Sequence, residues 1–160
     1  MAIKVGDHIP DVSLKTMGSE GPATVSSEEL LGKGKAVLFA VPGAFTPTCS
    51  DYHLPGFVVR ADDLAAKGVD TVACIAVNDA FVMGAWGESQ SVGDSVVLLA
   101  DGNAEFAKAV GLELDGTGFG MGVRSQRYAM VLDDGVVTYL GVEPGPGLSV
   151  SSADAVLEAL

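Results

Sequence analysis

The apolar run Ala36-Val37-Leu38-Phe39-Ala40 leads straight into Val41-Pro42-Gly43-Ala44-Phe45-Thr46-Pro47-Thr48-Cys49, and this junction constrains the fold more than any other stretch. The run has the length and composition of a buried β-strand. After it comes helix-start chemistry: Thr46 can cap, Pro47 suits the first helical position, and Cys49 falls in the first turn. A thiol there faces unpaired backbone N–H groups and the positive end of the helix dipole, both of which favour thiolate. The residues therefore predict a strand that delivers a cysteine onto a helix N-terminus. The competing reading is an inert core thiol, since free cysteine is commonly buried.

Around this junction strands and helices alternate. Val12-Ser13-Leu14 reads as an extended piece or weak hairpin with Ala23-Thr24-Val25, and Ser26 to Leu31 as a capped helical turn closed by Gly32. The helix from Pro47 is expected to run to Lys67, with Pro55-Gly56 kinking or interrupting it. Val69 to Val77 is a second buried strand that carries Cys74, and Asn78-Asp79 caps a helix through Phe81, Met83 and Trp86. Val96 to Ala100 is a third strand, turned by Asp101-Gly102-Asn103 into a helix of Glu105 to Val110. Glu113 to Gly122 reads as Gly-rich and irregular. Arg127 to Leu132 and Val136 to Leu140 flank Asp133-Asp134-Gly135, a hairpin signal. Ser151 to Asp154 caps a final helix. This order predicts an α/β layered fold with an antiparallel addition, and such folds put active sites where Cys49 stands, at the carboxyl end of a strand.

Composition excludes several classes. With 48% hydrophobic and 19% charged residues in 160, the chain reads as globular, and it is expected to form one domain over residues 1–160. A net charge of −12, from 21 acidic against 9 basic residues, argues against nucleic acid and anionic membrane surfaces as partners. No apolar run approaches the roughly 18 residues of a spanning helix. Met1 to Asp7 lacks the apolar core of a signal peptide. The cysteines, Cys49 and Cys74, are therefore expected to be reduced or redox-active in a reducing compartment, by default the cytoplasm. Two Cys and two His without ligand spacing give no metal site.

Pro42-x-x-x-Thr46-x-x-Cys49, in the fuller form Val-Pro-Gly-Ala-Phe-Thr-Pro-Thr-Cys, resembles the peroxidatic motif of peroxiredoxins. His53-Leu54-Pro55-Gly56-Phe57, Ala73 to Met83, Trp86-Gly87, Gly122 to Ala129 and Val142-Glu143-Pro144 are similar to the type II, peroxiredoxin-5-like subgroup. In motif the chain is closest to plant and bacterial members that depend on glutaredoxin or thioredoxin. The resemblance implies a thioredoxin-like fold: a central mixed sheet flanked by helices, with an N-terminal extension. It also implies thiol-dependent reduction of hydrogen peroxide and organic hydroperoxides without a cofactor, an antioxidant role in cell redox homeostasis.

By the same resemblance Cys49 is the peroxidatic thiol that becomes a sulfenic acid, and Thr46 hydrogen-bonds the thiolate and the peroxide. Arg127 stabilises charge on the sulfur and the peroxide oxygens, and Pro42 shields the thiolate. Gly43, Phe45, Thr48 and Phe119 are expected to shape the substrate pocket. Taken without the resemblance, Arg127 reads as a surface cation beside Asp133 or Asp134, and Arg124 competes with it if the strand register shifts.

Cys74 reads either as a small buried strand residue or as a resolving thiol. Relatives that resolve with a cysteine in the Gly-Leu-Ser-Val-Ser loop have it where Ser149 and Val150 stand here. The preferred expectation is therefore resolution by an external thiol, either glutathione with glutaredoxin or thioredoxin, in a homodimer that pairs through the active-site side. His53 invites a Cys–His protease reading, but it lacks an orienting partner in the sequence and is expected to be a structural or loosely tuning neighbour. A thioredoxin-type disulfide oxidoreductase would need Cys-x-x-Cys, and Thr46 stands at the other position. A redox sensor or chaperone based on Cys49 oxidation shares the first chemical step and stays open.

Overall fold

The computed structural model describes all residues from Met1 to Leu160. Seven strands form one sheet: β1 Ser13–Gly18, β2 Gly21–Ser26, β3 Lys35–Ala40, β4 Thr71–Ala76, β5 Val97–Ala100, and, after the small strands β6 Glu113–Asp115 and β7 Val123–Ser125, β8 Tyr128–Asp133 and β9 Val136–Val142. The sheet order is β2-β1-β5-β4-β3-β8-β9. β3, β4 and β5 run parallel, while β8 pairs antiparallel with β3 and β1 with β5. The mixed α/β sheet is therefore as expected, with the junction strand β3 near its centre.

From Ala36 to Ala40, β3 is apolar because both of its faces are covered. Val37 and Phe39 point into one core with Cys74, Leu54, Phe57 and Trp86; Ala36, Leu38 and Ala40 point into the other with Ile75, Leu31 and Phe106. Each fully buried Leu, Ile or Phe contributes about 1.5–3 kcal/mol, so a strand buried on both faces is held firmly in register. Helices α2 Leu54–Val59, α3 Ala61–Ala66, α4 Ala80–Ser89 and α6 Ala153–Ala159 lie on the first face. α1 Ser27–Leu31 and α5 Glu105–Ala109 lie on the second.

The capping expectations hold at three helices: Ser26 accepts from the N–H of Glu29, Asp79 from that of Val82, and Ser152 from that of Ala155. The β8–β9 turn is the predicted one, with Asp134 at φ 47° and Gly135 at φ 81°, both left-handed as a type I′ turn requires.

Several elements differ from expectation. The helix from Pro47 is not one rod kinked at Pro55. Helical backbone begins at Pro47, widens into a π-turn over Cys49–His53, continues as α2 through Pro55 and Gly56, and breaks at Arg60 before α3. Proline cannot donate to the carbonyl four residues back, and its ring clashes with it. The wide turn, closed by the Leu54 N–H on the Cys49 carbonyl, gives that ring room. The segment from Glu113 to Gly122 is not irregular throughout: β6 pairs antiparallel with β7, making a two-stranded arm with a 3₁₀ turn at Thr117–Phe119. Arg127 lies just ahead of β8, not within a strand. Strands β4 and β5 are also shorter at their ends than the apolar runs suggested.

Candidate active site

Past β3, the N–H of Val41 still bonds the Ile75 carbonyl at 3.1 Å, and the chain then turns out of the sheet. Asn78, in the loop after β4, accepts from the Ala44 N–H at 3.0 Å and ties the two loops together. Phe45 sits at φ 65°, a left-handed conformation that a bulky residue adopts only when its surroundings impose it. That turn brings the Thr46 hydroxyl over the first helical turn, whose Ser50 N–H bonds the Thr46 carbonyl at 2.9 Å. The Trp86 indole donates to Ser50 Oγ at 3.0 Å.

Cys49 Sγ is buried and meets two side chains. Thr46 Oγ1 lies 2.8 Å from it and Arg127 Nη2 lies 3.1 Å from it. Thr46 was expected to cap the helix with its side chain, but its hydroxyl is engaged elsewhere, lying also 2.7 Å from the Gly43 carbonyl. A hydroxyl carries one proton and two lone pairs. Facing a thiol, it donates to Gly43 and accepts from S–H; facing a thiolate, it turns its proton to the sulfur. The Thr46 rotor thus serves both protonation states without moving a heavy atom.

Arg127 is fixed on two sides. While Nη2 reaches the sulfur, Nη1 lies 2.9 Å from Nδ1 of His53. The other ring nitrogen, Nε2, lies 2.8 Å from the Ser151 carbonyl. Arginine only donates and a carbonyl only accepts, so His53 is the neutral Nε2–H tautomer, accepting from Arg127 and donating to Ser151. Burial between Phe39 and Phe57, with Arg127 adding to it, pushes the His53 pKa down to about 4 against the opposing pull of Ser151 and Glu143. The ring is therefore uncharged at neutral pH and does not compete with the guanidinium. A charge-assisted hydrogen bond contributes about 1.5–3 kcal/mol, against about 0.3–1 for a helix dipole, so Arg127 and Thr46 outweigh the helix N-terminus in holding a thiolate.

The other expected residues distribute as follows. Gly43 is buried, and a Cβ there would lie 3.3 Å from Thr46 Cγ2 and 3.6 Å from both Met121 Cε and Arg124 Nη1. Pro42 and Thr48 are half-buried beside the sulfur in sequence. Phe45 is 55% exposed, and Phe119 is 86% exposed in the turn at the tip of the arm, whose Met121 rather than Phe119 comes against Gly43. Arg124 does not compete for the thiol, since it donates to the carbonyls of Met121 and Val77. Cys74 is a free, fully buried thiol whose pKa is raised by burial and by Cys49, with Arg127 opposing. His53, expected as a structural or loosely tuning neighbour, is held through both ring nitrogens. Its signal was its position one turn after Cys49, but the partners that orient it come from the residue just ahead of β8 and the loop before α6, which local sequence does not reveal.

Comparison with known proteins gives the family of the chain. The Redoxin family model matches residues 4–157. Peroxiredoxin-2E-2, chloroplastic, of Oryza sativa subsp. japonica is 54% identical over 99% of this chain and 72% of its own length. Peroxiredoxin-2B of Arabidopsis thaliana is 48% identical over 99% of this chain and 98% of its own. Reduced Prx3 from Vibrio vulnificus in complex with H2O2 superposes with a TM-score of 0.93 at 54% identity, covering 98% of each chain. The chain belongs to the type II peroxiredoxins and is a thiol-dependent peroxidase of thioredoxin-like fold.

Proposed function

We propose that Cys49 is the peroxidatic thiol, that Thr46 and Arg127 activate it and the peroxide together, and that an external thiol completes the cycle. The observation that carries this reading is the placement of one donor on each side of the Cys49 sulfur, Thr46 Oγ1 at 2.8 Å and Arg127 Nη2 at 3.1 Å. The thiolate attacks the distal oxygen of ROOH; the S–O bond forms as the O–O bond breaks, and RO⁻ leaves to take up a proton as ROH. Sulfur is oxidised by two electrons to sulfenic acid and the peroxide is reduced by two. Charge moves from sulfur to both oxygens, and donors already aimed at that region stabilise it without reorganising. Gly43 leaves room beside Thr46, while Pro42, Phe45, Thr48 and Phe119 shape the approach.

An external thiol, either glutathione with glutaredoxin or thioredoxin, then condenses with the sulfenic acid, releasing water and forming a mixed disulfide that a second thiol reduces. Full burial of Cys74 on a central strand supports an external thiol over a Cys49–Cys74 disulfide. The exposed aromatics Phe45, Phe81 and Phe119 support pairing of two chains near the site, and two free cysteines support a reducing compartment, the cytoplasm. One sheet with a core on each face supports a single domain over residues 1–160.

The test is peroxide consumption with each reductant for the unsubstituted protein, Cys49→Ser and Cys74→Ser. Loss in Cys49→Ser alone is expected. Loss in both would make Cys74 the resolving thiol, and full activity in Cys49→Ser would refute the reading.

A further inference from the structure

The contacts behind Arg127 continue past His53. The Ser151 carbonyl that accepts from His53 belongs to a stretch wrapped around the carboxylate of Glu143. Backbone N–H groups of Ser149, Val150 and Ser151 donate to it at 3.0, 2.9 and 2.8 Å, and the hydroxyls of Ser149 and Ser151 donate at 2.9 and 2.7 Å. Burial alone would raise the Glu143 pKa, but the bonds from Ser151 and Ser149 outweigh it and keep the group ionised. Glu143 also donates its own N–H to the Arg127 carbonyl at 2.9 Å. One residue therefore holds Arg127 from both ends, its main chain directly and its guanidinium through Ser151 and His53.

The arrangement also separates charges. Arg127 forms an ion pair with no carboxylate, and the Cys49 sulfur is the group its Nη2 faces. Glu143 stands one peptide and one neutral imidazole away, where it supports the guanidinium without pairing to it. A direct Glu–Arg pair would divert the positive field from sulfur. If Glu143 served only as a loop staple, its removal would cost stability and leave the His53–Arg127 contact as it is. If it aims Ser151, its removal frees His53 to turn or take the other tautomer, and Nη1 of Arg127 loses its acceptor. The charged groups acting on His53 are Arg127 and Glu143, with Phe39 and Phe57 forming its apolar walls.

We infer that Glu143 is a positioning residue for peroxide reduction, acting through Ser151 and His53 to keep the Arg127 guanidinium on the Cys49 sulfur. The inference rests on the assignment of Cys49 and Arg127 made above.

The experiment is a double-mutant cycle on the full chain, with Glu143→Ala and His53→Ala alone and combined. It reads the single-turnover rate of Cys49 oxidation by hydrogen peroxide and the midpoint of the pH titration of thiolate absorbance. Glu143→Ala is expected to slow oxidation about tenfold and move the midpoint to higher pH, whereas in the His53→Ala background it changes the rate by less than about twofold. Equal losses in both backgrounds, or no loss, would overturn the inference. Should Glu143→Ala fail to fold, Glu143→Gln keeps the shape and one acceptor oxygen, and the same outcomes decide. Cys49→Ser is the control for the underlying reading: a reaction surviving in it would refute the Cys49 assignment, not the role of Glu143.

Discussion

Nη1 of Arg127 lies 2.9 Å from Nδ1 of His53, and that contact exists only while the ring nitrogen carries no proton. The pair links the cation beside Cys49 to a protonation state, and so to pH. His53 has a pKa of about 4 in the fold, below the 6.5 of an unperturbed histidine, because burial disfavours its charged form. Between those values the unfolded chain binds the proton and the folded one does not, so stability falls as pH drops. The contribution is complete above pH 6.5, is lost progressively towards pH 4, and amounts to about 3 kcal/mol. Denaturant unfolding of the native protein and of His53→Gln across this range checks it: the fall in stability is expected to be steeper in the first than in the second.

Arg127→Lys should not behave as a conservative change. Lysine offers one compact ammonium where the guanidinium reaches Cys49 and His53 through two separate nitrogens. Removing one preorganised donor costs about 10²–10³ in rate, so both Arg127→Lys and Arg127→Gln are expected to lose about that much in peroxide kcat/KM. Stopped-flow oxidation by hydrogen peroxide reads the loss in each variant.

Thr46→Val keeps the shape of the side chain and removes its hydroxyl. A hydrogen bond to a charged group contributes about 1.5–3 kcal/mol, so the peroxide rate is expected to fall roughly 10–150-fold, with Thr46→Ser retaining most of the native rate. Helix stability should change little in either variant, because the Thr46 hydroxyl bonds Gly43 and Cys49 and not the helix N–H groups. Single-turnover kinetics together with thermal unfolding distinguish the chemical loss from a structural one.

Much of this architecture was legible from local chemistry. The double-faced apolar run at β3, the Ser26, Asp79 and Ser152 caps, and the Asp134-Gly135 turn each depend on neighbours a few residues away, and each is found where expected. The π-turn was not legible, because Pro55 signals a disturbed helix without saying on which side the backbone yields. The β6–β7 arm was hidden because strands this short, among glycines, carry no period. In the site, Thr46 and Cys49 lie within one turn of each other. Arg127, 78 residues on, was assigned only by motif resemblance, and its support by His53 and Glu143 depends on long-range packing.

Cys74→Ala should leave turnover with an external thiol unchanged while costing about 1–2 kcal/mol of stability, since it trims a fully buried side chain from a central strand. Cys74→Ser should cost about 1–3 kcal/mol by leaving a hydroxyl in apolar surroundings. Denaturation midpoints measured beside steady-state peroxidase rates check both.

Peroxide is expected to oxidise the sulfur of Cys49 and no other. The direct measurement is peptide mass spectrometry of the reduced protein after one equivalent of hydrogen peroxide in the presence of dimedone, which traps sulfenic acid. A single adduct is expected on the peptide carrying Cys49, absent from Cys49→Ser and lost when the peroxide is omitted. An adduct on Cys74, or consumption of peroxide with Cys49 left as a free thiol, would contradict it.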